Sequence, residues 1–309
     1  GNPESGFGIE DGAFYGNYDK DNLSVVLDVA FRRSKDVDIN SAATKPNQSS
    51  NGNLAIGYDK SQLYLKYELG SMFIIDFGQF DTIYGVELND SKDRIFGKTG
   101  IVYDNTLPVT HTGMMVEFLV NGFYAKTFAA NPNNKGSYGS STSGDDKSEY
   151  GVALGYSNEF LRGQLGYMIR PITKALGTES GDRSLLDAII GTTLGAFSLD
   201  LEYSRVSDPS KNTLTSGDSS DLESAGQGFL ALASYKLNDA FIIGLRYENI
   251  KDDPAALSVK SIHSFGGSIH YRLGSELELR TEYITSDSKG INDATWKDSR
   301  FNVAALLMF

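Results

Sequence analysis

From Gly113 to the end of the chain the sequence repeats one unit. A run of about ten residues alternates apolar and polar side chains, a turn of two to four residues follows, a second alternating run returns, and a long polar connection leads on. Alternation at period two predicts strands, and short turns between successive runs predict antiparallel hairpins in an up-and-down meander. The short turns are Asn121-Gly122, Asn158-Glu159, Gly195-Ala196, Asn238-Asp239 and Gly274-Ser275, residue types that accept the dihedrals of tight hairpins. The long connections run over 132–147, 171–184, 207–225, 250–260 and 286–299 and are rich in Ser, Gly, Asp, Asn and Lys. Short turns at one end and long loops at the other are the asymmetry of a membrane-spanning barrel, which a soluble sandwich has no reason to show.

The apolar faces carry a second regularity. They read Leu161, Gly163, Leu165, Tyr167, then Phe197, Leu199, Leu201, Tyr203, then Phe241, Ile243, Leu245, Tyr247, then Leu277, Leu279, Thr281, Tyr283. Returning runs mirror this in Tyr150, Val152, Leu154, Tyr156 and in Phe265, Gly267, Ile269, Tyr271, Leu273. Six residues of strand span roughly 20 Å, so the rings fall near the two borders of an apolar band of about 25 Å and predict aromatic girdles. Aromatic packing inside a soluble β-core is the alternative; it does not require the Gly and Ser that populate the opposite faces. Four further runs, at 7–17, 22–33, 53–69 and 71–80, bring the eleven after residue 112 to fifteen. A closed single-chain barrel with both ends on one side takes an even number of strands. Either a short strand near Gly1–Gly6 completes sixteen, the count that about twenty residues per strand favours, or the first run is not a barrel strand and the count is fourteen. The expectation is an all-β, transmembrane, up-and-down antiparallel barrel spanning 1–309 as a single domain.

The faces opposite the apolar stripes hold Arg32, Lys66, Lys126, Arg162, Arg170, Lys236, Arg246, Arg272 and Arg280, and Asp28, Glu68, Asp76, Glu117, Asp187, Asp200, Glu202, Glu248, Glu276, Glu278 and Glu282. Unpaired charges are too costly to bury in a dry core, so these faces predict a wet lumen, with ion pairs across neighbouring strands as the plainer role of any single member. Arg32, Lys66, Arg162, Arg170, Arg246, Arg272, Arg280, Glu248, Glu278 and Glu282 are the expected pore wall. Tyr64, Tyr124 and Phe14, also read as inward, are too few for the aromatic ladder of a substrate-selective pore.

Composition then excludes whole classes. The chain has no Cys, which removes disulfides, a thiol nucleophile and Cys-ligated metal. A net charge of -12 argues against a nucleic-acid partner. No stretch approaches the ~18 apolar residues of a spanning helix, and the mean hydropathy of -0.28 is what strands apolar on one face produce. His263 and His270 are seven apart on one run and fall on opposite faces, so they share neither a metal nor a proton. His111 would serve a Ser-His hydrolase only if a distant Ser approached it. No phosphate loop, zinc spacing or EF-hand pattern is present; no metal, cofactor or enzymatic activity is expected.

The connection from Phe80 to His111 differs from the rest, mixing Ile83, Leu88, Ile95, Phe96, Ile101 and Val102 among its charges. About thirty residues with their own apolar content signal a functional loop. A strand ending in Gly78, Phe80, Thr82 and Gly85 resembles the diffusion porins, including the OmpL-like group, where Gly-x-Phe-x-Thr-x-x-Gly leads into a loop that folds inward and narrows the pore. That resemblance implies a constriction lined by Asp81, Glu87, Asp90, Lys92, Asp93, Arg94, Lys98 and Asp104; a surface loop over the mouth is the alternative. The alternating run Phe301, Val303, Ala305, Leu307, Phe309 resembles the assembly signal of bacterial outer-membrane barrels, with Phe309 as its final residue.

Together these features predict a passive outer-membrane channel for small hydrophilic solutes and ions. The implied partners are outer-membrane lipid and lipopolysaccharide, the barrel assembly machinery, those solutes, and further copies in a homotrimer. The start at Gly-Asn-Pro-Glu, without a basic and apolar leader, implies a removed signal peptide. The inner faces balance to -2 from nine cations and eleven anions, so the negative charge lies mostly on loops and the amino-terminal segment, and a weak cation preference is expected. A surface adhesin or receptor without conductance, and a porin selective for sugars or carboxylates, are the other readings.

Overall fold

The structure is a computed structural model describing residues 11–33, 54–56, 61–131, 148–172, 181–207, 226–251, 259–290 and 293–307. Strands β1 (Asp11–Lys20), β2 (Leu23–Arg33), β3 (Leu54–Ile56), β4 (Gln62–Leu69) and β5 (Phe73–Asp81) precede a connection that carries one short helix, α1 (Ile101–Thr106). Then come β6 (Thr110–Val120), β7 (Phe123–Ala130), β8 (Glu149–Ser157), β9 (Leu161–Ile172), β10 (Gly181–Leu194) and β11 (Phe197–Ser207). The last are β12 (Gly226–Lys236), β13 (Phe241–Lys251), β14 (Val259–Leu273), β15 (Leu277–Gly290) and β16 (Thr295–Leu307). All belong to one antiparallel sheet. β3 and β4 pair successive stretches of β2, with Ile56 opposite Phe31 and Gln62 opposite Asp28, so the sixteen strands make fifteen passes.

The first run is a strand of the sheet, paired with β2 from Asp11 opposite Arg32 to Lys20 opposite Leu23. This takes away the ground for fourteen. The segment near Gly1–Gly6 lies outside the described residues, as does Phe309. Among the described residues β1 and β16 end the strand path without pairing to each other. The sheet nevertheless wraps round: the Lys92 ammonium lies 5.0 Å from the ring centroid of Tyr15 on β1, while the Lys92 carbonyl accepts from Arg280 of β15 at 3.2 Å.

Local chemistry accounts for the turns. Asn121 and Gly122 both take positive φ, 49° and 84°, the requirement of a two-residue hairpin whose twist matches its strands. Asn158 and Asn238 close their turns by side chain. Asn158 Oδ1 accepts from the amides of Phe160 and Leu161, and Asn238 Oδ1 from those of Ala240 and Phe241.

Burial is inverted relative to a soluble protein. Leu165, Leu245 and Val303 are 57%, 50% and 68% exposed, while Asp187, Glu202, Glu248 and Arg246 are buried. An apolar outer surface is stable only against lipid. The girdle toward the long connections consists of Tyr203 opposite Phe229, Tyr247 opposite Phe265 and Tyr283 opposite Phe301. Each pair lies two residues lower than the one before, since Tyr247 faces Ala231 and Tyr283 faces Gly267, the offset that tilted strands impose. One expected phase is reversed. Phe14 is 71% exposed on the outer face, and its neighbour Tyr15, opposite the buried Asp28, points inward. With aromatic residues at both positions hydropathy leaves the phase of β1 open, and pairing with β2 decides it.

Candidate functional site

The connection between β5 and β6 runs inside the barrel, and the four residues of its leading motif each have a steric or hydrogen-bonding reason. Gly78 has φ +134°, and a methyl group there would run into the Leu63 carbonyl and come within 2.8 Å of Tyr64 Cα. Phe80 is buried, 6.3 Å from the ring of Phe128 and 6.1 Å from that of His111. The Thr82 hydroxyl accepts from the Tyr84 amide at 3.4 Å and lies 3.3 Å from His111 Nε2. Gly85 has φ +92° and leaves space for Leu107. Gly78→Ala is expected to destabilise the protein by about 1–3 kcal/mol through backbone strain, read as a lowered urea midpoint of the detergent-folded protein.

The loop is seated side chain by side chain on inward glycines. Tyr84 lies over Gly166 of β9, where an added Cβ would come within 2.6 Å of its ring, and reaches Gly151 of β8, where an added Cβ would run into its hydroxyl and the Phe128 ring. Its hydroxyl donates to the Tyr167 carbonyl at 2.9 Å, and Gln164 donates to the Ile83 carbonyl at 2.9 Å. Burial raises the Tyr84 phenol far above its ordinary pKa, so it stays a neutral donor. Phe96, fully buried, lies against Gly266 and near Gly244, and Val102 and Thr106 of α1 lie against Gly228 of β12. Glycine at these positions lets the loop approach the wall closely. Their inward phase was legible in the sequence; that they mark docking positions was not.

Charges complete the attachment. Four wall carboxylates accept loop amides: Asp187 from Gly85 at 3.2 Å, Glu202 from Val86 at 2.7 Å, Glu282 from Gly97 at 3.0 Å and Glu248 from Val102 at 3.0 Å. Arg246 donates to Glu87 Oε1 at 2.6 Å and to the Lys98 carbonyl at 2.9 Å, and its guanidinium covers the Phe96 ring at 4.3 Å. Glu87 Oε2 accepts from the Gly100 amide at 2.6 Å. His270 Nε2 and Ser268 Oγ both meet the Ile95 carbonyl, at 2.6 and 3.1 Å.

These contacts change where the expected wall and constriction residues stand. Arg246, Glu248, Glu278, Arg280 and Glu282 are on the inner face but buried; backbone donors and carbonyls of the loop, together with ion pairs, satisfy charges that were expected to face open water. Arg170 is 14% exposed and reaches Glu149 at 3.1 Å. Arg162 (46%), Arg272 (45%) and Lys66 (34%) stay accessible, with Arg162 2.7 Å from Asp200 and Arg272 2.8 Å from Glu278. The side chain of Arg32 lies outside the described residues. In the loop, Glu87 and Arg94 are buried; Arg94 grips the carbonyls of Leu88, Asn89, Phe96 and Gly97 and so stiffens the loop from within. Lys92, Asp93 and Asp104 are exposed, while Asp81, Asp90 and Lys98 are half-buried. A cavity of about 320 Å³ separates loop residues 86–95 from the short-turn ends of β9 to β12, and Asp93, Arg162, Asp200, Thr193 and Ser234 line it.

His263 is exposed on the outer face and His270 buried on the inner one, as their spacing predicts. His111 is buried, with Nδ1 2.6 Å from Glu149 and its ring 4.1 Å from that of Phe128. No Ser stands among its described hydrogen-bond partners.

A sheet that is apolar outside and charged within, curled around a loop anchored across its interior, defines an outer-membrane porin. The chain belongs to the OmpL-like beta-barrel porin-2 family, whose model matches residues 1–309. Solved structures share the fold at low identity. The outer membrane channel DcaP of Acinetobacter baumannii is 14% identical with a TM-score of 0.61, covering 96% of this chain and 83% of that one. OmpT of Vibrio cholerae in its trimer form is 15% identical with a TM-score of 0.56, covering 96% and 90%. An anion-selective porin from Comamonas acidovorans is 13% identical with a TM-score of 0.58, covering 95% and 86%. No curated protein sequence matches the chain. The protein is thus an outer-membrane channel protein, and family and fold both speak for a channel rather than an enzyme.

Proposed function

We propose that the channel passes small hydrophilic solutes and ions passively, and that the loop between β5 and β6 sets its aperture. The observation that carries this reading is the attachment of one loop to inner faces from β9 to β15, with Arg162, Arg272, Lys92 and Asp93 left exposed and Lys66 half-buried on the inner face of β4. In this reading Lys92, Asp93 and Asp104, flanked by Asp81, Asp90 and Lys98, form the constriction. Lys66, Arg162 and Arg272 form the water-facing wall, while Glu87, Arg94, Arg246, Glu248, Glu278, Arg280 and Glu282 hold the loop in place. Both signs of charge border the passage, so selectivity is weak; the -12 of the whole chain gives it a slight cation preference. The trimer form of a structural neighbour supports a homotrimer for this chain.

Purified protein in a planar bilayer is expected to give stepwise ohmic conductance; folded protein in a silent bilayer would sink the proposal. In a salt gradient the reversal potential is expected to sit slightly on the cation side. Arg162→Glu combined with Arg272→Glu removes two accessible cations, adds two anions and is expected to raise the cation-to-anion permeability ratio several-fold, on the order of the effect of a local charge reversal at a narrow aperture.

A further inference from the structure

Beyond the girdle, toward the long connections, the outer face changes chemistry on one side of the barrel. Among the described residues, no Lys or Arg occupies an outward position on β4 to β10, whereas Arg205, Lys251, Lys289 and Lys297 occupy outward positions on β11, β13, β15 and β16. The register places Arg205 opposite Gln227 and Gln227 opposite Lys251, so two cations bracket one amide across two strand spacings, about 10 Å. Lys251 in turn faces Ser261, and on the row below, His263 faces Asn249, whose Nδ2 lies 2.8 Å from His263 Nδ1. Arg205, Gln227, Lys251 and His263 are all exposed. Only Asp287 is acidic among the outward described positions from β11 to β16, and it lies beside Lys297 at 3.7 Å, while Lys289 is held by Asp293 at 2.8 Å. The stretch from β11 to β14 is therefore of one sign.

Cations placed two to four residues past an aromatic girdle stand at headgroup depth, where basic residues attract anionic lipid. A guanidinium presents a planar fork that matches phosphate oxygens, and an ammonium adds a point charge. We propose that Arg205, Gln227, Lys251 and His263 form a site for the phosphorylated headgroup of an outer-leaflet lipid seated against β11 to β14. The site rests on the outer-membrane placement of the barrel with its long connections outward, and is independent of conduction.

The test titrates the full chain, folded in detergent, with lipid A carrying its phosphates, with lipid A stripped of them, and with inorganic phosphate, following the bound fraction by native mass spectrometry. Phosphorylated lipid A is expected to bind, and the combined variant Arg205→Gln, Lys251→Gln, His263→Gln to bind it at least about tenfold more weakly. Stripped lipid A is expected to match that loss, millimolar inorganic phosphate to leave binding intact, and Lys236→Gln, at the short-turn end, to behave as the unaltered protein. Heat-modifiable gel migration equal to that of the unaltered protein establishes that the combined variant is folded. Equal binding by the combined variant or by stripped lipid overturns the proposal, and full competition by inorganic phosphate assigns the site to the free ion and also overturns it. A conducting protein that binds no lipid A sinks this site and leaves the channel standing; a silent protein that binds it does the reverse.

Discussion

Arg246→Ala is expected to release the loop and raise single-channel conductance, with a loss of loop attachment of about 3–5 kcal/mol, the usual cost of leaving a buried charge without its partner. Arg246 is almost fully buried, and its removal strands Glu87, which it meets at 2.6 Å, and Glu248, at 3.3 Å. It also opens the Lys98 carbonyl and uncovers the Phe96 ring. The barrel strands keep their own ladders, so the protein is expected to fold, with trypsin now cutting at Lys92, Arg94 and Lys98. Arg246→Met combined with Glu87→Gln and Glu248→Gln removes the cation and both of its carboxylate partners and is expected to restore most of the attachment, because neutral groups leave less desolvated charge behind. If Arg246→Ala leaves both conductance and trypsin resistance unchanged, the anchoring role is wrong.

Tyr84→Ala is the second large effect. Tyr84 is 1% exposed, seated on Gly151 and Gly166, with its ring 6.3 Å from that of Phe128 and its hydroxyl on the Tyr167 carbonyl. Truncation leaves a cavity between two glycines that have no side chain to fill it, so the cost is expected near the aromatic-to-alanine range of about 3–5 kcal/mol. The loop's first segment should loosen, seen as noisier current and faster trypsin cleavage, while Tyr84→Phe, which keeps the ring, should lose only about 1 kcal/mol for its hydrogen bond. A barrel that unfolds outright would show that Tyr84 supports the strands and not the loop alone.

Much of the architecture is written in local order. Alternation at period two, hairpin turns such as Asn121-Gly122 and the Tyr that ends successive apolar faces all arise from neighbours along a strand, so the fifteen runs match the fifteen passes. The inward phase of Arg162, Arg246, Glu248 and Arg280 follows from the same period. The motif Gly78, Phe80, Thr82, Gly85 was legible too, because two of its members answer backbone demands that glycine alone meets easily.

The role of the inward charges was not legible. Period two tells which side of a strand a residue faces but says nothing of what covers it, and the groups that cover Glu202, Glu248 and Glu282 are amides 116, 146 and 185 residues away in the chain. The same limit hid the function of Gly151, Gly166, Gly228, Gly244 and Gly266, whose missing side chains have meaning only once Tyr84, Phe96 and α1 are in place. By itself the sequence determined a membrane barrel with one unusual loop, since both are patterns of adjacent residues. Only the tertiary structure decided which charges meet water and which hold the loop, because burial and hydrogen bonding of an inward side chain depend on the distant segment that packs against it.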